Sequence, residues 1–155
     1  MDENRENVRR LTLAMSRMDG AYYYFARKSG LKENLLTLLY ALDDGKPHSQ
    51  KEVCEDWLIP KTTINTIVRE LVTQGYATLL SSEGTREKTI CLTGSGRAYA
   101  REALRVVHEA GQAALARALQ RHPPAFIDAL EDFSNCLCEE YEKRLAEQKG
   151  GKETP

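Results

Sequence analysis

The chain has 155 residues, of which 41% are hydrophobic and 29% are charged, a balance typical of a globular domain rather than a disordered segment. Its formal net charge of −1 excludes a protein that binds nucleic acid through overall charge, so any such site must be a local patch. No apolar run approaches the roughly 18–20 residues that cross a bilayer. The charged first ten residues also lack the apolar stretch of a signal peptide, so we expect a cytoplasmic protein.

The first two predicted segments are helices of different kinds. Residues 2–28 carry apolar side chains at steps of three or four, which places them on one stripe of a helix. Residues 31–42 are apolar on most sides and predict a short buried helix, which a turn at 43–47 follows. The stripe on the first helix consists of Val8, Leu11, Met15, Met18, Tyr22 and Phe25.

Two further short helices are joined by a tight turn. Ser49 and Glu52 have the spacing of a capping box and predict a helix over 49–57. Pro60 suits the first turn of a second helix over 60–74, which Gly75 ends. This length and pattern indicate a helix-turn-helix. The inward positions of the second helix are Ile64, Ile67, Val68 and Leu71.

A predicted hairpin follows the helix-turn-helix. Residues 76–80 and 88–92 are rich in Thr, Leu, Ile and Tyr, and the polar segment between them predicts a loop. A helix-turn-helix followed by a hairpin is a winged helix. We therefore expect a mainly α fold with a small two-stranded β wing and long N- and C-terminal helices.

Two long helices are predicted at the end of the chain. Thr93 caps an alanine-rich helix over 97–120, whose first turn Gly94 and Gly96 are expected to weaken. The prolines at 123 and 124 interrupt the helical pattern before a final helix over 125–147. The predicted division is therefore a dimerisation helix at 1–30, a winged helix at 31–97, dimerisation helices at 98–148 and a disordered tail at 149–155.

The stripes on the first and last helices predict a two-fold dimer. They would leave large apolar areas exposed on a monomer of this size, and such areas usually mark an interface. A two-fold dimer would also hold two recognition helices about one turn of DNA apart. The alternative is that both helices fold back onto the winged helix.

The exposed face of the second short helix has the residue types that read duplex DNA. Lysine and arginine reach guanine edges or phosphates, asparagine bonds adenine, and threonine contacts phosphate or a thymine methyl. Residues 59–97 also hold more basic than acidic residues. The alternative is an ordinary solvated amphipathic helix. The predicted face consists of Lys61, Thr62, Thr63, Asn65, Thr66 and Arg69, with Arg86 and Lys88 on the hairpin.

No motif of an enzyme or a metal centre is present in the sequence. The segment Gly94-Ser95-Gly96 is too short for a phosphate-binding loop, and the three histidines are scattered. The cysteines lack the spacing of zinc ligands. We therefore expect neither catalysis, nor a metal, nor a cofactor.

Two other functions stay open. Cys136 and Cys138 lie about 200° apart around a helix and cannot easily bond each other, although one could bond its mate across a dimer. This leaves a redox-sensing regulator as one alternative. A winged helix that contacts only other proteins is the other.

The order of elements resembles that of the multiple antibiotic resistance regulator (MarR) family of bacterial transcription factors, over about residues 5–147. The family's wing pattern, D-x-R, five residues, then L-T, aligns with Arg86 and with Leu92-Thr93, although Gly84 replaces the aspartate. The segment 71–76 matches the end of the recognition helix, and Tyr22 to Phe25 followed by Gly30-Leu31 matches the end of the first helix.

The resemblance implies a homodimeric DNA-binding repressor that responds to a small ligand. Arg86 would enter the minor groove, while Ser49, Gln50 and Lys51 would meet phosphate at the start of the preceding helix. Family effectors, often phenolic or aromatic acids, bind between the dimerisation helices and the DNA-binding lobe. The matching candidate residues are Tyr22, Phe25, Ala26, Tyr40, Trp57 and His108, with ordinary core or interface packing as the alternative.

Overall fold

A computed structural model describes residues 3–81 and 88–150. By packing, the chain divides into two compact units, Met1–Glu109 and Ala110–Pro155. The described part holds six helices and three strands, as a mainly α winged helix requires. In chain order these are α1 (Glu3–Lys28), α2 (Glu33–Leu42), β1 (His48–Ser49), α3 (Gln50–Asp56), α4 (Lys61–Thr73), β2 (Ala77–Ser81), β3 (Lys88–Leu92), α5 (Gly94–Leu119) and α6 (Ala125–Gly150).

The core of the first unit lies around α2. This helix is buried along most of its length, as its apolar sequence predicts, because α4, β3 and the first part of α5 pack with it. The side chains with almost no exposed area come from all four elements and include Leu38, Leu39, Ile64, Leu71, Ile90 and Leu104.

The helix-turn-helix forms as predicted. The Ser49 hydroxyl accepts a hydrogen bond from the Glu52 amide at 3.1 Å, and the Glu52 carboxylate accepts one from the Ser49 amide at 2.8 Å. Between the helices, Leu58 adopts a φ of 52° and is 85% exposed. This left-handed conformation, which is uncommon for a leucine, turns the chain so that Ile59 is buried and Pro60 precedes α4.

The sheet has three antiparallel strands in the order β1-β3-β2, so the predicted two-stranded wing is incomplete. Strand β1 is missed because a strand of two residues directly before a helix has no visible alternation. His48 pairs with Ile90 and Ser49 with Thr89, so the start of α3 is tied to the wing.

Helix α5 begins at Gly94, directly after its predicted cap Thr93. The Thr93 hydroxyl accepts a hydrogen bond from the Gly96 amide at 3.0 Å and donates one to the Gly75 carbonyl at 2.7 Å. The glycines therefore do not delay the start of the helix. Close packing requires glycine at position 96. A Cβ built on Gly96 would lie 1.8 Å from the Tyr76 carbonyl oxygen.

The second unit contains the end of α5 and all of α6. Here the apolar stripe of α6 is half-buried at Phe126, Leu130, Phe133 and Leu137. Further along the helix, Tyr141 and Leu145 are more than half exposed. None of the described α6 residues is fully buried within the single chain.

Candidate nucleic-acid interface and adjoining cavity

Helix α4 separates its side chains into a buried and an open face. Ile64, Ile67, Val68 and Leu71 are buried, as the sequence pattern predicts. The predicted recognition residues fall on the other sides of the helix. Lys61, Thr62, Thr66 and Arg69 are exposed, while Thr63 and Asn65 are half-buried.

The open face of α4 carries little negative charge. Its one acid, Glu70, points to another element, where its carboxylate lies 3.7 Å from the Lys32 ammonium. No acid stands in the first turn, and the Pro60 N-cap supplies no side-chain hydrogen bond to the first amides. A helix start of this kind suits an anion such as phosphate, because its free N–H groups and dipole point outward.

The start of α3, unlike that of α4, is already bonded by side chains of the protein itself. Ser49 and Glu52 engage each other in the capping box, which places a carboxylate beside this helix start. Lys51 is exposed, and its ammonium lies 3.9 Å from the Glu55 carboxylate in an ion pair that solvent screens. Gln50 is half-buried. These residues lie beside the wing because β1 pairs with β3.

The wing contributes Lys88, which is exposed at the start of β3 opposite Ser81. Arg86, the residue that the resemblance assigns to the minor groove, lies outside the described residues. The same holds for Gly84, which replaces the family's aspartate, and for its neighbours Glu83 and Glu87.

A cavity of about 470 Å³ opens on the side of the helix-turn-helix that faces α1. Its apolar and aromatic wall consists of Tyr22, Leu36, Tyr40, Trp57, Leu58 and Val107. Its polar lining consists of Asp19, Glu33, Thr37 and Asp56. Tyr40 and Trp57 contact each other edge to face, with their ring centroids 5.5 Å apart.

The cavity contains three of the six predicted ligand residues, Tyr22, Tyr40 and Trp57. Burial, and to a smaller extent the nearby Tyr40, raises the pKa of the Tyr22 phenol, so this hydroxyl stays neutral. The structure places the other three elsewhere. Ala26 is fully buried in the core, and Phe25 packs against that core.

His108, the last of the six, is engaged by its own chain. Its Nε2 lies 2.9 Å from an Asp43 carboxylate oxygen, and its ring stacks on Tyr40 at 5.4 Å. It therefore packs against Tyr40 of the cavity lining without lining the cavity itself. Sequence reasoning missed the three acids of the lining, Asp19, Glu33 and Asp56, because acidic residues of an amphipathic helix are ordinarily assigned to its solvent-exposed face. Their helical spacing was a usable signal, since Asp19 precedes Tyr22 by one turn and Glu33 precedes Tyr40 by two.

The cysteines show no common site. Cys54 and Cys91 are half-buried, Cys136 and Cys138 are exposed, and all four are free thiols. Across residues 3–81 and 88–150, no group of His, Cys, Asp and Glu side chains is arranged to hold a metal ion. Within the same residues, no helix combines the length and hydropathy that a bilayer crossing needs.

A comparison with protein families decides the classification. Residues 29–86, from the end of α1 to the wing, match the model of the MarR family. Over these residues the chain is similar to the MarR family. The predicted resemblance is thus confirmed, and MarR-family members are transcriptional regulators rather than enzymes. No curated protein sequence matches the chain.

Solved MarR-family structures share the fold over a much longer part of the chain. The regulator NMB1585 of Neisseria meningitidis is 23% identical, with a TM-score of 0.71, and the match covers 96% of this chain and 99% of that one. BldR of Sulfolobus solfataricus is 17% identical, with a TM-score of 0.64 and coverage of 90% and 99%. NadR, solved in complex with 4-hydroxyphenylacetate, is 12% identical, with a TM-score of 0.64 and coverage of 82% and 88%. At these identities the matches show the winged-helix fold.

Proposed function

We propose that the protein is a homodimeric transcriptional repressor that binds a palindromic DNA operator and releases it when a small effector binds. The observation that carries this proposal is the open face of α4, where Lys61, Thr62 and Arg69 are exposed and the neighbouring acid Glu70 is paired with Lys32. The match of residues 29–86 to a family of transcriptional regulators supports it.

In the proposed complex, α4 enters the major groove and the wing reaches the backbone or the adjoining minor groove. Asn65 and Arg69 have the functional groups that read base edges, whereas Lys61 and the amides of the first α4 turn are suited to phosphate. Ser49, Gln50, Lys51, Thr62, Thr63, Thr66, Arg86 and Lys88 complete the proposed interface.

The exposed apolar stripe of α1 supports the dimer. Val8, Leu11, Met18 and Tyr22 keep 37% to 48% of their area exposed in the single chain. An uncovered stripe of this length favours burial against another copy, since large exposed apolar patches are rare on soluble monomers. The terminal helices would then set the spacing of the two α4 helices.

The cavity supports a ligand response. It is lined by Trp57 and Leu58, which lie in the turn that leads into α4. A ligand bound there would lower DNA affinity if it favoured a spacing of the α4 helices that does not fit the groove.

The test is a mobility-shift titration with DNA from the region upstream of the protein's own coding sequence. We expect a sequence-dependent complex that weakens with salt, and a loss of about 1–3 kcal/mol in Arg69→Ala through a lost base contact. Arg86→Ala should weaken binding to all sequences. Arg101→Ala, an exposed arginine on α5, is the matched control. Unchanged binding by both Arg69→Ala and Arg86→Ala would show that the proposed face is wrong.

A further inference from the structure

We propose that the cavity beside the helix-turn-helix takes a small organic cation with an aromatic or apolar body. This inference deepens the proposed function, on which its regulatory meaning rests, because it names the chemical class of the effector. It follows from three features of the cavity, which are the charge of its lining, the absence of ion-pair partners for that charge among the described residues, and the aromatic wall.

The charge of the lining is entirely negative. Asp19 on α1, Glu33 on α2 and Asp56 at the end of α3 bring one carboxylate each from three elements. None of the described residues that line the cavity is a lysine, arginine or histidine. His108, which stacks on Tyr40 of the lining, is hydrogen-bonded to Asp43 and does not itself line the cavity.

The three carboxylates are also without ion-pair partners in the described part of the chain. Other acids of the same unit do have partners. Glu70 lies 3.7 Å from Lys32, and Glu55, which neighbours Asp56 in sequence, lies 3.9 Å from Lys51. A cation that enters the cavity would therefore be attracted by carboxylates that no described basic residue neutralises.

The aromatic wall suits the body of such a ligand. The lining includes the aromatic residues Tyr22, Tyr40 and Trp57, and Leu36 and Val107 add apolar residues. Aromatic faces attract cations through their quadrupole, most strongly those of tryptophan. A volume of about 470 Å³ lies in the range of about 300–1,000 Å³ that small-molecule sites occupy.

An aromatic acid fits this lining poorly. NadR was solved with 4-hydroxyphenylacetate, a carboxylate, at 12% identity to this chain. A carboxylate placed among Asp19, Glu33 and Asp56 would lose its hydration and meet like charge, with no cation in the lining to compensate. The cavity of this protein therefore favours an amine or a quaternary ammonium group over an acid of the same size.

The test uses three probes that share one phenyl ring and differ in charge: phenethylamine, phenylacetate and 2-phenylethanol. Trp57 is the only tryptophan in the chain and lines the cavity, so its fluorescence, excited beyond the absorption of the probes, reports binding directly. Calorimetry on the full chain gives the affinities independently. We expect phenethylamine to bind at least about tenfold more tightly than phenylacetate, with 2-phenylethanol between them.

The variant Asp19→Asn/Glu33→Gln/Asp56→Asn removes the charge while keeping shape. It should bring the affinities for the amine and the acid together, and the preference of the original protein should shrink with added salt. Asp56→Asn alone should reduce the preference in part, which keeps the test valid if the triple variant fails to fold. The matched control is Glu55→Gln, on the next residue and outside the cavity lining, and it should leave all three affinities unchanged.

Three results would overturn the inference: phenylacetate binding as tightly as phenethylamine, an amine preference that survives in the triple variant, or no Trp57 response to any probe. DNA binding is measured separately in mobility-shift assays. A protein that prefers the amine but binds no DNA would contradict the proposed function and leave this inference standing. A protein that binds DNA but shows no amine preference would contradict this inference and leave the proposed function standing.

Discussion

Two consecutive aspartates fix the end of α2 to different parts of the first unit. The Asp43 carboxylate accepts a hydrogen bond from the His108 ring of α5 at 2.9 Å, and the Asp44 carboxylate accepts one from the His48 ring of β1 at 2.8 Å. One pair thus connects the core to the helix behind the cavity. The other connects it to the strand that leads into α3.

The Asp44 pair gives a prediction about acid. Its hydrogen bond with His48, and then that with the Lys46 amide, lowers the pKa of Asp44 below the ordinary aspartate value. The contribution of the ionised Asp44 to the stability of the folded protein is therefore complete above the ordinary aspartate pKa. It is lost as pH falls through the lowered pKa of the folded state. In His48→Ala the pKa of Asp44 should rise towards its ordinary value without fully reaching it, since the Lys46 amide remains. A carboxyl NMR titration measures this, and an unchanged pKa would contradict the assigned cause.

Residue types in the sequence predict part of the cavity. Tyr22, Tyr40 and Trp57 stand out as aromatics near predicted helix ends, and the structure brings them together. Helical spacing places Asp19 near Tyr22 and Glu33 near Tyr40, but the meeting of these acids with Asp56 depends on the tertiary fold, which joins three separate helices. His108 was expected to meet a ligand, but its partner Asp43 lies 65 positions away and only the tertiary fold joins them.

At the scale of elements, the junction between α4, the wing and α5 is held by one compact set of hydrogen bonds. Helix α4 ends at Thr73, and the φ of +75° at Gly75 lets the Gly75 amide bond the Val72 carbonyl and the Tyr76 amide bond the Leu71 carbonyl. The Gly75 carbonyl then accepts hydrogen bonds from the Thr93 and Ser95 hydroxyls. The start of α5 is thereby fixed to the end of the proposed recognition helix.

Gly96→Ala tests this junction. The added Cβ would meet the Tyr76 backbone carbonyl at 1.8 Å, so the start of α5 must move away and its hydrogen bonds must weaken. We expect a loss of about 3 kcal/mol or more in the free energy of unfolding. Urea unfolding followed by circular dichroism measures it. Gly94→Ala, where an added Cβ meets nothing within 4 Å, is the matched control and should change stability by less than about 1 kcal/mol.

Hydrophobic spacing and capping residues predict the order and approximate bounds of all six described helices. Two details depend on tertiary contacts and escape the sequence. Strand β1 exists because β3 supplies its hydrogen bonds, and the first turn of α5 requires glycine at position 96 because the Tyr76 backbone lies against it. Local propensity treats Gly94 and Gly96 as weak points, whereas close backbone approach makes Gly96 necessary.

For the whole molecule, the proposed dimer depends on the uncovered stripe of α1. Leu11→Glu/Met18→Glu puts two charges on that stripe and should shift the protein from dimer to monomer, because desolvating both carboxylates is costly. Sedimentation or light scattering measures the mass. The control Val72→Glu/Leu80→Glu places the same charges on exposed residues of α4 and β2 and should leave the mass unchanged. A double variant of α1 that stays dimeric would exclude this stripe from the interface.

Amphipathic patterning also indicates the fold class of the whole molecule, and the fold itself is confirmed. What the sequence does not define is assembly, because an exposed apolar stripe has the same pattern whether a second copy or another partner covers it. The operator is similarly undefined. Asn65 and Arg69 give the chemistry of base contacts, but the spacing of two α4 helices is a property of the dimer.

Selection of preferred sites from a pool of random duplex DNA tests the central claim most directly. The account predicts enrichment of a two-fold symmetric sequence whose half-sites lie about 10 base pairs apart. With Arg69→Ala, the base preference should weaken equally in both half-sites. Enrichment of an asymmetric single site, no enrichment at all, or an identical sequence preference in Arg69→Ala would contradict it.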